Sequence, residues 1–131
     1  MHWGGVALAF VVTFALGWLW YSQVAFFPVW SRLDGLTEEK MRHANMTVAF
    51  GGTALANLLG VILLAVLMAA IGAGGVGEGA LLGAFVGLVF RGGGHFIHNG
   101  FAARDWRVST IDAAHDTVAL AVAGAILGIW M

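Results

Sequence analysis

The sequence predicts an all-α integral membrane protein, a four-transmembrane-helix bundle built of antiparallel hairpins with a short cytoplasmic helix. Of its 131 residues, 60% are hydrophobic and 10% are charged, which leaves too few polar groups for the surface of a soluble domain. The apolar residues form four long blocks, each near or above the roughly 20 residues that a helix needs to cross about 30 Å of hydrocarbon. Within lipid the backbone must bond to itself, so helices are favoured over open strands.

The four blocks belong to one domain, residues 1–131. The first block is longer than the apolar core of a signal peptide and lacks a basic segment before it, which predicts a retained helix. Pro28 is expected to end that helix, because proline cannot continue the hydrogen-bond ladder. Thr37 followed by two glutamates predicts the N-terminus of the short cytoplasmic helix. The predicted spans are residues 3–26, 46–71, 79–101 and 108–130.

The basic residues are confined to two of the connections. Arg32, Lys40 and Arg42 lie between the first and second spans, and Arg104 and Arg107 between the third and fourth. The connection from residue 72 to 78 and both termini carry no Lys or Arg. The positive-inside rule therefore predicts a multi-pass protein of the cell inner membrane with both termini outside the cytoplasm.

Small residues recur every four positions in three of the spans. This spacing lets membrane helices approach closely, because packing joins helices in lipid. Folding the last two spans at their loop predicts Gly83 and Gly87 opposite Gly128 and Gly124. The stripe in the second span could also form a dimer contact. The residues concerned are Gly52, Ala56 and Gly60, then Gly79, Gly83 and Gly87, then Gly124 and Gly128.

Ionisable residues in the third and fourth spans are spaced to share one helix face in each span. In the folded hairpin His98 is expected level with Asp112, and His95 level with His115. Arg91 is expected within one turn of Asp116, as an ion pair. Charged groups in a membrane are costly and should face each other or a wet cavity. The candidate residues are Arg91, His95, His98 and Asn99 in the third span, and Asp112, His115 and Asp116 in the fourth.

Besides a purely structural role, two specific functions are possible for a pocket lined by these residues. The imidazoles and carboxylates of His95, His98, Asp112, His115 and Asp116 suit zinc or another divalent metal ion, with Arg91 and Asn99 as ion-pair or supporting residues. Alternatively, histidines and carboxylates within a membrane commonly form proton relays. Structurally, Arg91–Asp116 could be a simple ion pair, and His98 and Asn99 could be solvated at the interface.

Three stretches, in this order and spacing, resemble the bacterial membrane proteins of domain of unknown function 1761. They are "WYS" at 20–22, "GLTEEKMRHANM" at 35–46 and "IDAAHDTVALAVAGAILG" at 111–128. The resemblance runs over nearly the whole chain. It implies a four-helix integral membrane protein and no particular activity.

The leading functional hypothesis is a small transport-related membrane protein that binds a proton or a divalent cation between its third and fourth helices. One alternative is a non-transporting module whose polar cluster is structural or binds a partner; another is a haem-binding protein with His95 or His115 as ligand. An enzyme is not expected, because no nucleophile, zinc-protease or nucleotide motif occurs. The cofactor is unknown, with zinc as one option. The expected partners are the lipid bilayer and further copies of the chain, a dimer being the simplest, and no nucleic acid.

Overall fold

The computed structural model describes residues 1–131 and is helical throughout. Four of its helical segments are long and apolar enough to cross a membrane. The third segment is composite, because a π-helical segment interrupts it. In chain order the elements are α1 (Trp3–Trp20), α2 (Phe27–Asp34), α3 (Glu38–Arg42), α4 (Met46–Ile71), α5 (Gly75–Val86), the π segment (Gly87–Gly92), α6 (Gly93–Phe101) and α7 (Trp106–Gly128).

The first helix is shorter than predicted, and Pro28 does not end it. The chain leaves the helix at Trp20, whose carbonyl accepts a hydrogen bond from the Phe26 backbone at 2.9 Å. Pro28 instead lies in the first turn of α2, where its missing N–H costs nothing and its fixed φ suits a helix. The amphipathic helix α2 was therefore not predicted. The last two spans begin at Gly75 and Trp106 rather than at residues 79 and 108.

The short helix predicted after Thr37 is present as α3. The Thr37 hydroxyl accepts a hydrogen bond from the backbone N–H of Lys40 at 3.2 Å. Glu38 and Glu39 occupy its first turn, where negative charge is favourable next to the helix N-terminus. The local sequence thus accounts for both the position and the start of this element.

Glycines bring α5 and α7 into direct backbone contact, as predicted, but about two turns away from the predicted pairing. A Cβ added to Gly79 would overlap the Gly124 carbonyl, and one added to Gly83 would overlap that of Leu120. The predicted pairs Gly83–Gly128 and Gly87–Gly124 are therefore wrong. Two features contribute to the offset: α7 begins at Trp106, two residues earlier than expected, and the π segment lies between the turn and these glycine contacts. The observed sequence of contacts is Gly75 with Gly128, Gly79 with Gly124, Gly83 with Leu120, and Gly87 with Asp116.

Helix α4 packs through only part of its length. From Asn57 onwards it contributes buried residues to a core shared with α1 and α7. Asn57 Nδ2 donates to Thr13 Oγ1 at 3.0 Å, which confirms that this amide joins two helices. Between residues 46 and 56, in contrast, every residue except Ala54 is exposed. The small residues Gly51 and Gly52 have no neighbour within 4 Å.

The two ends of the molecule differ in composition. The first end, called here the basic end, carries the segment from residue 21 to 45 and the turn from 102 to 105. At the opposite end, called the terminal end, the Gly75 backbone N–H donates to the Met131 carbonyl at 3.1 Å. The His2 ring stacks on the Trp130 ring there, with centroids 4.5 Å apart.

Candidate functional site

Asp116 lies between two histidines in the half of α7 nearer the basic end. His95 Nε2 donates to one carboxylate oxygen at 2.7 Å, and His115 Nδ1 donates to the other at 3.1 Å. The Asp116 side chain is only 14% exposed, that of His115 17%, and that of His95 33%. We call these three residues the His–Asp–His cluster. It has one partly accessible end, His95, and one enclosed end, His115.

The sequence predicted that these residues meet, but with different pairs. His95 was expected beside His115, whereas it reaches Asp116, the next residue of α7. Side chains on a helix point towards its N-terminus, and α6 and α7 run so that the His95 and Asp116 side chains lean towards each other. Pairing by backbone level does not take this direction into account. A Cβ added to Gly92 would lie 3.0 Å from the Ala113 Cβ, which marks the level of contact between the two helices.

Asp112 is not part of the cluster. Its carboxylate Oδ1 accepts hydrogen bonds from the Tyr21 hydroxyl and, at 3.0 Å, from Trp30 Nε1. The residue is buried, with α2 lying across α7 and holding Trp30 in place. Neither Tyr21 nor Trp30 was predicted to bind Asp112. The only sequence signal was the concentration of aromatic residues just before the basic loop.

His98 also lies outside the cluster. It is exposed and makes no side-chain hydrogen bond, since it projects from α6 on the side away from α7. The predicted level pair of His98 and Asp112 is therefore not formed. The predicted five-residue group thus separates into the His–Asp–His cluster, the Asp112 contacts and a solitary His98.

Asn99 belongs to a second polar group at the basic end. Its amide Nδ2 donates to Ser109 Oγ at 3.1 Å, and its Oδ1 accepts from Arg104 at 3.1 Å. Arg104 also donates to Asp34 at 2.8 Å, and this hydrogen bond raises the pKa of the Arg104 guanidinium. The group ties α2 and α6 to the turn before α7. Asn99 therefore supports the turn and does not contact the His–Asp–His cluster.

Arg91 makes no ion pair with Asp116. No carboxylate oxygen lies within 4.0 Å of its guanidinium, whereas Arg104 and Arg107 each have such a partner. The Arg91 guanidinium lies beside α4, 3.8 Å from where a Gly60 Cβ would stand. The predicted ion pair is absent, and Arg91, which belongs to the π segment, is directed towards α4 instead.

The surroundings of His115 are aromatic and tightly closed. Its ring centroid lies 5.8 Å from that of Trp20 and 5.3 Å from that of Tyr21. Gly17 leaves the space into which the ring fits, since a Cβ there would lie 3.2 Å from His115 Nε2. Both His115 Nε2 and Trp20 Nε1 are buried without a hydrogen-bond partner. Such atoms are rare in folded proteins.

No polar route continues from the cluster to the terminal end. The side chains packed there are apolar and buried, and they come from α1, α4 and α7. The only polar pair near the start of this region is Thr13 with Asn57. Access to the cluster is therefore from the basic end. The buried core residues are Val6, Ala9, Val61, Leu64, Ala65, Met68, Leu120, Ala123 and Leu127.

Each histidine of the cluster has one ring nitrogen that faces Asp116 and one that is turned away from it. The nitrogens that face Asp116 are Nε2 of His95 and Nδ1 of His115. The nitrogens turned away are Nδ1 of His95 and Nε2 of His115. No group of three or more His, Asp or Glu side chains is arranged to hold a metal ion.

Comparison with known proteins places the chain in a family. A family model described as "Protein of unknown function (DUF1761)" matches residues 5–128. The chain belongs to this family. The resemblance noted in the sequence is thereby confirmed over nearly the whole length of this DUF1761 protein. No curated protein and no solved structure matches it.

Proposed function

We propose that this DUF1761 protein binds a proton at the His–Asp–His cluster, from the cytoplasmic side of the inner membrane, as part of a transport-related activity. The observation that carries the proposal is the Asp116 carboxylate held between two imidazoles, 2.7 Å from His95 and 3.1 Å from His115. Ionisable groups deep in a membrane segment are costly and mark functional sites. No bond-breaking chemistry is part of the proposal.

Proton uptake follows from the charges of the cluster. With both imidazoles neutral, Asp116 leaves it with one negative charge. A proton added to Nδ1 of His95 makes an imidazolium whose Nε2–H already points at Asp116, so the new charge is formed next to its counter-charge. His95 is the natural entry because it is the most exposed of the three side chains, at 33%.

The proposal includes an arrangement in the membrane. The four helices run alternately in opposite directions, with α3 and the basic end in the cytoplasm and both termini outside. The apolar core towards the terminal end closes the site on that side, so release outward needs a change of conformation. A single four-helix unit is small for such a change, and the protein is proposed to act as a homo-oligomer, a dimer being the simplest.

The test is to follow each histidine by ¹⁵N NMR as pH is lowered from about 8 to 5, the range in which histidine titrates. The sample is the whole protein in lipid nanodiscs with labelled histidine. Asp116→Asn should change the imidazole ¹⁵N resonances of His95 and His115 across this range, because it removes the carboxylate to which both imidazoles are hydrogen-bonded. His98, which is exposed and makes no contact with the cluster, serves as a matched control in the same spectra.

Three outcomes can be distinguished. Shifts confined to His95 and His115, together with a lower proton flux into liposomes for Asp116→Asn, support the proposal. Unchanged titration of all histidines in Asp116→Asn contradicts it. Loss of the His95 and His115 titrations on adding zinc to the wild type, with stoichiometric zinc bound, would replace the proton site by a metal site.

A further inference from the structure

At the terminal end, His2 joins the start of α1 to the end of α7. Its ring nitrogen Nδ1 accepts a hydrogen bond from the Gly5 backbone N–H at 2.8 Å, which caps α1. The same ring stacks on that of Trp130, with centroids 4.5 Å apart and planes inclined by 12°. Gly5 leaves the space for Trp130, since a Cβ there would lie 2.7 Å from the indole ring. We call His2, Gly5 and Trp130 the terminal clasp.

The terminal clasp forms part of the wall of a cavity. This cavity has a volume of about 400 Å³ and lies between the start of α1, the end of α4 and the end of α7. Its lining is mostly apolar and includes Ala65 of α4 and Leu127 of α7, which also belong to the buried core. Movement of His2 away from Trp130 would therefore remove part of the wall that separates these residues from solvent.

The cap on α1 requires one protonation state of His2. A neutral imidazole donates from one nitrogen and accepts at the other. Because Nδ1 accepts from Gly5, the proton of neutral His2 lies on Nε2. An imidazolium donates from both nitrogens, so its Nδ1–H would face the Gly5 N–H with no acceptor between them. The ring must then turn to bring Nδ1–H to an acceptor, and in turning it leaves the parallel position on Trp130.

The surroundings of His2 add no counter-charge that would favour its protonated form. No carboxylate oxygen lies within 4.0 Å of its ring nitrogens, and a positive charge next to a helix N-terminus is unfavourable. Helices α1 and α4 contain no titratable residue, and α7 contains none in the half near the terminal end. The other titratable groups at this end are the amino group of Met1, the chain end at Met131 and Glu78. The Glu78 carboxylate accepts from a backbone N–H of the turn before α5, at 2.9 Å.

We propose that the terminal clasp is sensitive to pH: neutral His2 keeps the start of α1 against the end of α7, and protonated His2 releases it and opens the cavity to the terminal side. The cap is complete above the range in which histidine titrates and is lost as the pH falls through that range. The inference goes beyond the proposed function, because it concerns the opposite end of the molecule and involves no residue of the His–Asp–His cluster.

A single introduced thiol can report the opening, since the chain contains no cysteine. Ala65→Cys places the thiol in the cavity lining, at a position that is only 4% exposed. The whole protein in lipid nanodiscs, which leave both ends open to solvent, is labelled with a charged maleimide at pH 7.5 and 5.5. Each rate is divided by that of Gly77→Cys at the same pH, because Gly77 is exposed in the first turn of α5 and corrects for the smaller thiolate fraction in acid.

The corrected rate of Ala65→Cys should be about fivefold higher at pH 5.5 than at pH 7.5, which corresponds to the loss of a typical N-cap. The matched variant is His2→Asn in the same background, because asparagine caps a helix and does not titrate. Its corrected rate should be the same at both pH values. The ¹⁵N spectra of the remaining histidines verify that the variants are folded.

A pH dependence that is present with His2 and absent with His2→Asn supports the inference. Equal corrected rates at the two pH values with His2, or the same pH dependence with His2→Asn, overturns it. Asp116→Asn should leave the dependence unchanged, and its loss in that variant would assign the effect to the His–Asp–His cluster and also overturn the inference. The proton site itself is tested by the resonances of His95 and His115, so the two proposals fail separately.

Discussion

The Tyr21 hydroxyl donates a hydrogen bond to the Asp112 carboxylate across 91 positions of the sequence. Tyr21 follows the last residue of α1, and Asp112 lies in the second turn of α7. The contact joins the first and last membrane helices at the basic end. Trp30 of α2 adds a second donor to the same oxygen, so a helix outside the membrane segments covers this carboxylate.

Tyr21→Phe should destabilise the protein by about 1–3 kcal/mol, because a buried carboxylate loses a donor and is not compensated by water. The measurement is reversible unfolding of the detergent-solubilised protein. Ser22→Ala is the control, since the Ser22 hydroxyl is exposed and binds only the Leu19 carbonyl. In Tyr21→Phe/Asp112→Asn the two losses should be less than additive; full additivity would show that the residues are not coupled.

Gly83→Ala should destabilise the protein by about 1–3 kcal/mol through overpacking. The added methyl group would overlap the Leu120 carbonyl of α7, so α5 and α7 must move apart. Gly93→Ala is the matched control, because nothing lies within 4 Å of that position. There alanine should stabilise the helix, by up to about 1 kcal/mol. Equal melting temperatures for the two variants would contradict the close contact of the helices.

Asp105, the residue before α7, should contribute a pH dependence to the stability of the protein, and this dependence should appear only under acidic conditions. Hydrogen bonds from Arg107 lower the pKa of Asp105 from 3.8 to about 2. Its contribution to folding is therefore complete above pH 3.8 and is lost as the pH falls through about 2. The difference in melting temperature between wild type and Asp105→Ala should be constant in the neutral range and shrink in acid. A difference that vanishes already near neutral pH would exclude this origin.

Both termini should face away from the cytoplasm. Neither terminus nor the turn between α4 and α5 carries Lys or Arg, whereas the basic end holds five of the six basic residues. A reporter that is active only in the cytoplasm should be dark when fused after Met131 and bright when inserted at Gly35. A bright C-terminal fusion would reverse the proposed orientation and place the entry to the cluster on the outer side.

The four membrane helices were predictable because length and apolarity determine them directly. The ends of the helices were harder to predict. Helix α1 ends at Trp20 because the following turn forms its own hydrogen bonds, and Pro28 begins α2 instead of ending α1. Propensity alone does not distinguish these two roles of a proline. Asn57, an amide in the middle of a span, joins two helices through its hydrogen bond to Thr13.

Only part of the candidate site was predictable: His95, His115 and Asp116 meet, but in pairs other than those expected, and the other candidate residues lie outside the cluster. Helical spacing placed His95 and Asp116 on facing sides, and they do meet. The predicted ion pair of Arg91 with Asp116 is absent, and nothing in the sequence indicates the π segment at Gly87–Gly92 to which Arg91 belongs. Tyr21 and Trp30 were missed because their contacts depend on how α2 folds back over α7.

The π segment has a consequence for insertions and deletions. A π turn holds one residue more than the α-helical turn it replaces, so Gly87–Gly92 absorbs a surplus residue between α5 and α6. Removing one residue there would restore a continuous α-helix and leave the orientation of α6 relative to α5 nearly unchanged, because the shorter α-helical turn covers nearly the same rotation as the π turn. The glycine contacts of α5 with α7 and the approach of His95 to Asp116 would both survive. The π segment is therefore the part of this helix that should tolerate a one-residue deletion best.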